Sequence, residues 1–96
     1  MIIMDREIII RNADILKGIA NPIRLCLVKK IFENGSCNVS FFTDCMEVSQ
    51  SNISQHLAKM RDLGILDYKK DGKNVNYFIK NEKINEIIKV LFKEEK

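Results

Sequence analysis

The chain has no tryptophan, a single histidine, four glycines and three cysteines in 96 residues, and each shortage removes a class of chemistry. One imidazole leaves little with which to build a metal site or an acid/base pair. The glycines never gather into a phosphate-cradling loop, and no Ser or Cys stands beside a recognisable base. An enzyme is not expected, nor is any cofactor or metal. No apolar run approaches the roughly 20 residues that span a bilayer, so no membrane segment is expected. The opening MIIMDREIII has neither a basic leader nor a small-residue cleavage site, and an odd number of cysteines makes no disulfide framework. Reduced thiols in a soluble, cytoplasmic protein are the expectation.

What is present is globular: 46% hydrophobic and 30% charged residues, in a chain of one domain, residues 1–96, with only a modest core. A net charge of +3 from 16 basic and 13 acidic residues is mild, but it is unevenly placed. Lys59, Arg61, Lys69, Lys70, Lys73 and Lys80 stand against Asp62, Asp67 and Asp71 in the segment 59–80. That segment follows directly on the stretch with the clearest design.

Residues 49–63, SQSNISQHLAKMRDL, read as a helix with two unlike faces. At about 100° per residue, Ile53, Leu57, Met60 and marginally Leu63 form an apolar stripe. The opposite arc carries Ser51, Ser54, Gln55, Ala58 and Asp62, with Asn52 and Lys59 on its flank. Ser49 suits the N-cap, Val48 and Ile53 sit at hydrophobic-staple spacing, and Gly64 suits the left-handed stop. A merely solvated helix would favour Lys and Glu over Ser and Asn for propensity alone. Short amides and hydroxyls are the groups that read base edges in a major groove. An ordinary surface helix is the competing reading, and the surroundings decide.

Upstream, helical spacing of Ile8, Ile15 and Ile19, with Ile9, Ala13 and Leu16 beside them, predicts a first helix over about 5–20. Asn21 as N-cap and Pro22 at the first helical position open a second, which runs to about Asn34 before Gly35. Its inward side is Ile23, Leu27 and Ile31, with Cys26 adjacent. Val39, Phe42, Cys45 and Met46 predict a short third helix capped by Asn38 or Ser36, and Glu47-Val48 is the turn into the polar-faced helix. Two helices joined in this way make a helix-turn-helix, although the turn lacks the frequent glycine. After Gly64 the period changes to two: Leu66 and Tyr68, then Val75, Tyr77 and Ile79, alternate with other residues across two strands. Asp71-Gly72 reads as their turn, and Lys69, Lys70, Lys73 and Asn74 crowd a basic tip able to lie along phosphates. Asn81 caps a last helix, about 81–93, striped by Ile84, Ile87, Ile88, Leu91 and Phe92, and the KEEK tail is expected to fray. The first and last helices carry more Ile and Leu than one small core covers, which predicts a homodimer.

The predicted fold is thus mainly α with a β-hairpin, in the order helix, helix, helix, helix, strand, strand, helix. It resembles the winged helix-turn-helix of the ArsR/SmtB repressors in three blocks: ILKGIANPIRLCLV (15–28), VSQSNISQHLAKMRDLGIL (48–66) and KKDGKNVNYFI (69–79). The resemblance covers residues 8–92 and implies a homodimeric, sequence-specific DNA-binding transcriptional repressor. Such a protein pairs through its first and last helices and leaves an inverted-repeat operator on an inducing signal. It assigns DNA contacts to Gln50, Ser51, Asn52, Ser54, Gln55, His56 and Lys59 on the recognition helix, and to Lys70, Lys73 and Asn74 on the wing. His56 also sits where a half-buried packing residue would. A winged-helix module that docks on proteins is the alternative function.

The sensing sites of this family do not carry over. The Cys-x-Cys positions of arsenic and cadmium sensors are here Asn38 and Ser40. The last helix, KINEIIKVLFKEEK, lacks the histidine and aspartate of zinc and nickel sensors. Persulfide sensors pair a cysteine of the second helix with one of the last, but this last helix has none and Cys26 falls about one turn from the expected position. All three cysteines are readable as small buried apolar residues. Of the three, Cys37 near the mouth of the third helix is the candidate redox thiol, because an amide-rich helix start favours the thiolate.

Overall fold

In the computed structural model residues 5–93 are described; residues 1–4 of the apolar opening and 94–96 of the KEEK tail lie outside the described residues, as do the corresponding ends of the domain expected over 1–96. Five helices form where a short polar side chain stands ready to cap them. Asp5, Asn21, Asn38, Ser49 and Asn81 each accept a hydrogen bond from a first-turn backbone amide, which satisfies donors that the helix itself cannot. The elements are α1 (Arg6–Ile19), α2 (Pro22–Asn34), α3 (Val39–Cys45), α4 (Gln50–Asp62), β1 (Leu66–Asp71), β2 (Asn74–Ile79) and α5 (Glu82–Leu91). Order and type are those expected, with Asn38 rather than Ser36 as the α3 cap.

The end of α4 is a full Schellman stop. Ile65 N–H donates to the Met60 carbonyl at 2.9 Å and Gly64 N–H to that of Arg61 at 3.0 Å, with Gly64 in the left-handed region at φ 78°. Glycine suits that position because a Cβ strains there. The chain is thereby turned straight into β1, and Ile65 and Leu66 enter the core beside Met60.

The hairpin differs from expectation by one residue. Asp71 is the last paired residue of β1, opposite Asn74, so the two-residue turn is Gly72-Lys73. Of these two only Gly72 has positive φ, 63°, which is the pattern of a type II′ turn. Leu66 faces Ile79 and Tyr68 faces Tyr77 across the ladder. Cys37 adds a single antiparallel bridge on the far side of β2: its N–H donates to the Tyr77 carbonyl at 3.0 Å and its carbonyl accepts from Tyr77 N–H at 2.8 Å.

One core joins all five helices to the base of the hairpin: Ile15, Ile19, Leu27, Val28, Ile31, Phe42, Ile53, Leu57, Met60, Leu66, Ile84 and Ile88 are among its buried residues. Of the stripe read on α4, Ile53, Leu57 and Met60 are fully buried and Leu63 is half-buried. Ile23 is only half-buried, and Val28 takes a core place that the spacing had not given it. Outside the core, Ile8, Ile9, Ile10 and Leu16 on α1 and Val90 and Leu91 on α5 remain exposed. The two helices meet where Lys83 Nζ donates to Asn12 Oδ1 at 3.2 Å.

Candidate nucleic-acid interface

The helix α4 is held from below by Ile53, Leu57 and Met60, each fully buried, while Gln50, Ser51, Asn52, Ser54, Gln55, Ala58 and Lys59 are exposed. The buried side fixes the height and rotation of the helix, so the outward amides and hydroxyls are presented by a rigid support. Ser49 Oγ accepts from Asn52 N–H at 3.2 Å. The first turn, where recognition helices meet base edges, is therefore capped and ordered.

On the wing, Lys70, Lys73 and Asn74 are exposed. The turn folds beside the start of α3, where Lys73, Asn74 and Val75 share a recess of about 170 Å³ with Asn38, Val39 and Ser40. Lys69 points elsewhere than its neighbour: its ammonium lies 5.8 Å from the Phe78 ring. At the base of the wing, Arg61 of α4 stacks over Tyr68 at 5.1 Å, and Tyr68 meets Tyr77 with ring centroids 5.6 Å apart. That stack joins α4 to the hairpin.

His56 is half-buried and is engaged from within. Its Nδ1 lies 3.3 Å from Arg24 Nη1. A guanidinium only donates, so Nδ1 accepts and the imidazole is the neutral tautomer with its proton on Nε2. Burial, with the Arg24 charge second, pushes its pKa below the usual 6.5. Arg24 itself reaches the end of α1, where Nε donates to the Gly18 carbonyl at 2.6 Å and Nη2 to that of Lys17 at 3.3 Å. Arg24 was not among the residues expected to build the site. The available signal was a cation in the first turn of α2, where the helix dipole disfavours positive charge and some other partner must hold it.

The surroundings of Cys37 oppose the lowered thiol pKa on which its redox expectation rested. Cys37 directly precedes Asn38, the α3 cap, but it is 4% exposed and its Sγ faces the Lys30 carbonyl at 3.7 Å. Burial first, and then nearby Cys45, push its pKa from 9.0 up to about 11, against an opposing pull from Lys30. A thiol, not a thiolate, stands there at neutral pH. Cys45, read with the others as a small buried residue, is exposed, and Cys26 is half-buried. Among the described residues no group of three or more His, Cys, Asp or Glu side chains could hold a metal ion.

A short helix, a turn, a capped helix with a neutral polar outward face and a hairpin with a basic tip define a winged helix-turn-helix transcriptional regulator of the DNA-binding kind. The shared pattern of bacterial regulatory proteins of the arsR family matches residues 21–68, and the chain belongs to that family. It is 36% identical over 80 residues to the transcriptional repressor PagR of Bacillus anthracis, covering 83% of this chain and 80% of that protein. It is 37% identical over 79 residues to the HTH-type transcriptional regulator YgaV of Escherichia coli K12, covering 82% and 80%. The crystal structure of PagR superposes with a TM-score of 0.84, covering 91% of this chain and 99% of that one at 33% identity. The solved structure of HlyU from Vibrio cholerae does so with 0.86, covering 96% and 98% at 27% identity.

Proposed function

We propose that the chain acts in the cytoplasm as a homodimeric repressor, holding an inverted-repeat operator with two α4 helices in successive major grooves and two wings on flanking backbone. The observation that carries this is the division of α4 into a fully buried apolar side and an exposed side of Ser51, Asn52, Ser54 and Gln55. These groups donate and accept with little charge, which suits discrimination of base edges over indiscriminate attraction to phosphate. Lys59, Lys70 and Lys73 supply the attraction from the flank and the wing. The exposed Ile and Leu of α1, with Val90 and Leu91 of α5, supply the surface for pairing. PagR, similar to this chain along most of its length, is named a repressor.

Release from the operator belongs to this reading, but not by a thiolate at Cys37, whose buried thiol stays protonated at neutral pH. The test is selection of bound sequences from random duplex DNA by the purified protein. Enrichment of an inverted repeat with half-sites about one helical turn apart is the expected result. Failure to enrich any sequence would overturn operator recognition and make protein docking the better reading.

A further inference from the structure

Arg24 has a peculiar placement for a residue that touches no candidate DNA contact except His56. It is half-buried in the first turn of α2, and its three nitrogens are each engaged: Nε and Nη2 by the carbonyls that end α1, Nη1 by the imidazole in the middle of α4. The Gly18 carbonyl would otherwise lack a helical partner, since Pro22 four residues on has no N–H, whereas that of Lys17 also accepts from Ala20 N–H at 3.3 Å. Close packing runs beside this joint. A Cβ on Gly18 would lie 2.5 Å from Ile65 Cδ1 and 2.8 Å from Leu63 Cδ1, so α1 sits directly on the segment that leaves α4. Resting on the reading of α1 as a dimer-forming helix and α4 as the reading helix, this joint is the path by which one sets the other.

We propose that Arg24 is a positioning residue for operator recognition, locking the middle of α4 to the end of α1 through His56 Nδ1 and so fixing where each recognition helix stands relative to the dimer axis. The lock needs His56 neutral. Once protonated, the ring has no acceptor on Nδ1 and sets a cation against the guanidinium. The charged group facing the ring from α2 is Arg24; α1 offers the Lys17 and Gly18 carbonyls to Arg24, and on α4 itself the nearest charged side chain one turn on is Lys59. None of these is a carboxylate that would welcome the imidazolium. Acidification therefore opens the lock and weakens operator binding. This is the reverse of what a histidine in simple contact with phosphate would do, since its protonation tightens binding to all DNA.

The experiment follows the imidazole nitrogens by NMR in the free protein and measures affinity for the selected operator and for a scrambled duplex from pH 7.5 to 5.5. The ring should be the Nε2–H tautomer at pH 7.5, and operator affinity should fall about tenfold as it protonates, the loss of one hydrogen bond to a charged group, while scrambled-duplex affinity does not fall. His56→Gln, whose amide can accept from Arg24, should bind the operator more tightly than His56→Leu and should lose the pH dependence. His56→Leu and Arg24→Met should bind the operator as the acidified protein does, with melting curves reporting whether they remain folded. An Nδ1–H tautomer, operator affinity that rises or stays level as the ring protonates, or a Gln variant no better than Leu would overturn the proposal. If the wild-type protein selects no operator, operator recognition itself has failed, and the tautomer in the free protein still reports on the lock.

Discussion

Cys37 and Cys45 make opposite responses to a thiol reagent the expected outcome. Cys45 is exposed and Cys37 buried, so in the native protein at pH 7 an alkylating agent should modify Cys45 promptly and Cys37 only on unfolding. Rapid native labelling of Cys37, read by mass spectrometry, would contradict its placement. The raised pKa of Cys37 also fixes a sign. The folded chain holds that proton more tightly than the unfolded one, so the associated stability is full below about pH 9 and lost as pH rises toward about 11. The loss is on the order of 2–3 kcal/mol, and Cys37→Ala should flatten alkaline denaturation in that window. Among the polar residues, Gln55→Ala should cost about 1–3 kcal/mol against the preferred sequence and relax one base position if its amide reads an edge. Lys73→Ala should instead weaken binding to all duplexes and lower the salt slope by about one phosphate contact. Affinities for selected and scrambled duplexes across a salt series separate the two.

The helix α4 was legible in the sequence because its cap, stripe and stop are all local. Its cap, its stripe of Ile53, Leu57 and Met60 and its stop at Gly64 lie within one short stretch, and each appears as read. The same local chemistry gives a prediction: Ser49→Ala should cost about 0.5–2 kcal/mol through lost capping, and Gly64→Ala about 1–2 kcal/mol through its left-handed φ. Thermal melts of the two variants test this, and unchanged stability in both would mean that the helix ends do not limit the fold. What was not legible depends on partners distant in sequence. Arg24 and His56 are 32 residues apart, and Cys37 meets Tyr77 only because the end of α2 delivers it to the edge of β2. The closeness of Gly18 to Ile65 is likewise invisible in a helical pattern, where a glycine registers only as a weak helix former. The hairpin lay between these cases, since Asp71-Gly72 marks a turn but strand pairing decides which two residues form it.

At the scale of the whole molecule, the stripe on α5 divides into residues that serve the protomer and residues left for something else. Ile84 and Ile88 are 0% and 1% exposed, whereas Val90 and Leu91, two and three residues beyond Ile88 on the same helix, are 70% and 55% exposed. The division decides which substitution tests pairing. Ile88→Glu would place a charge in the protomer core and should unfold the chain, since an unpaired buried carboxylate costs several kcal/mol. It cannot distinguish a dimer from a folded monomer. Leu91→Glu leaves the core intact and alters only the surface offered outward with Ile8, Ile9, Ile10 and Leu16 of α1. In a homodimer that two-fold surface meets itself, so one substitution brings two carboxylates into the same apolar contact. Light scattering should then show Leu91→Glu as a monomer at micromolar concentration, with helical content and melting cooperativity retained, where the wild type is a dimer. Operator affinity should fall with it, because a monomer engages one half-site and forgoes the effective concentration that the second would supply. A Leu91→Glu protein that remains dimeric would move the interface away from the outer face of α5. One that is monomeric yet binds the operator as tightly as the wild type would separate DNA recognition from pairing.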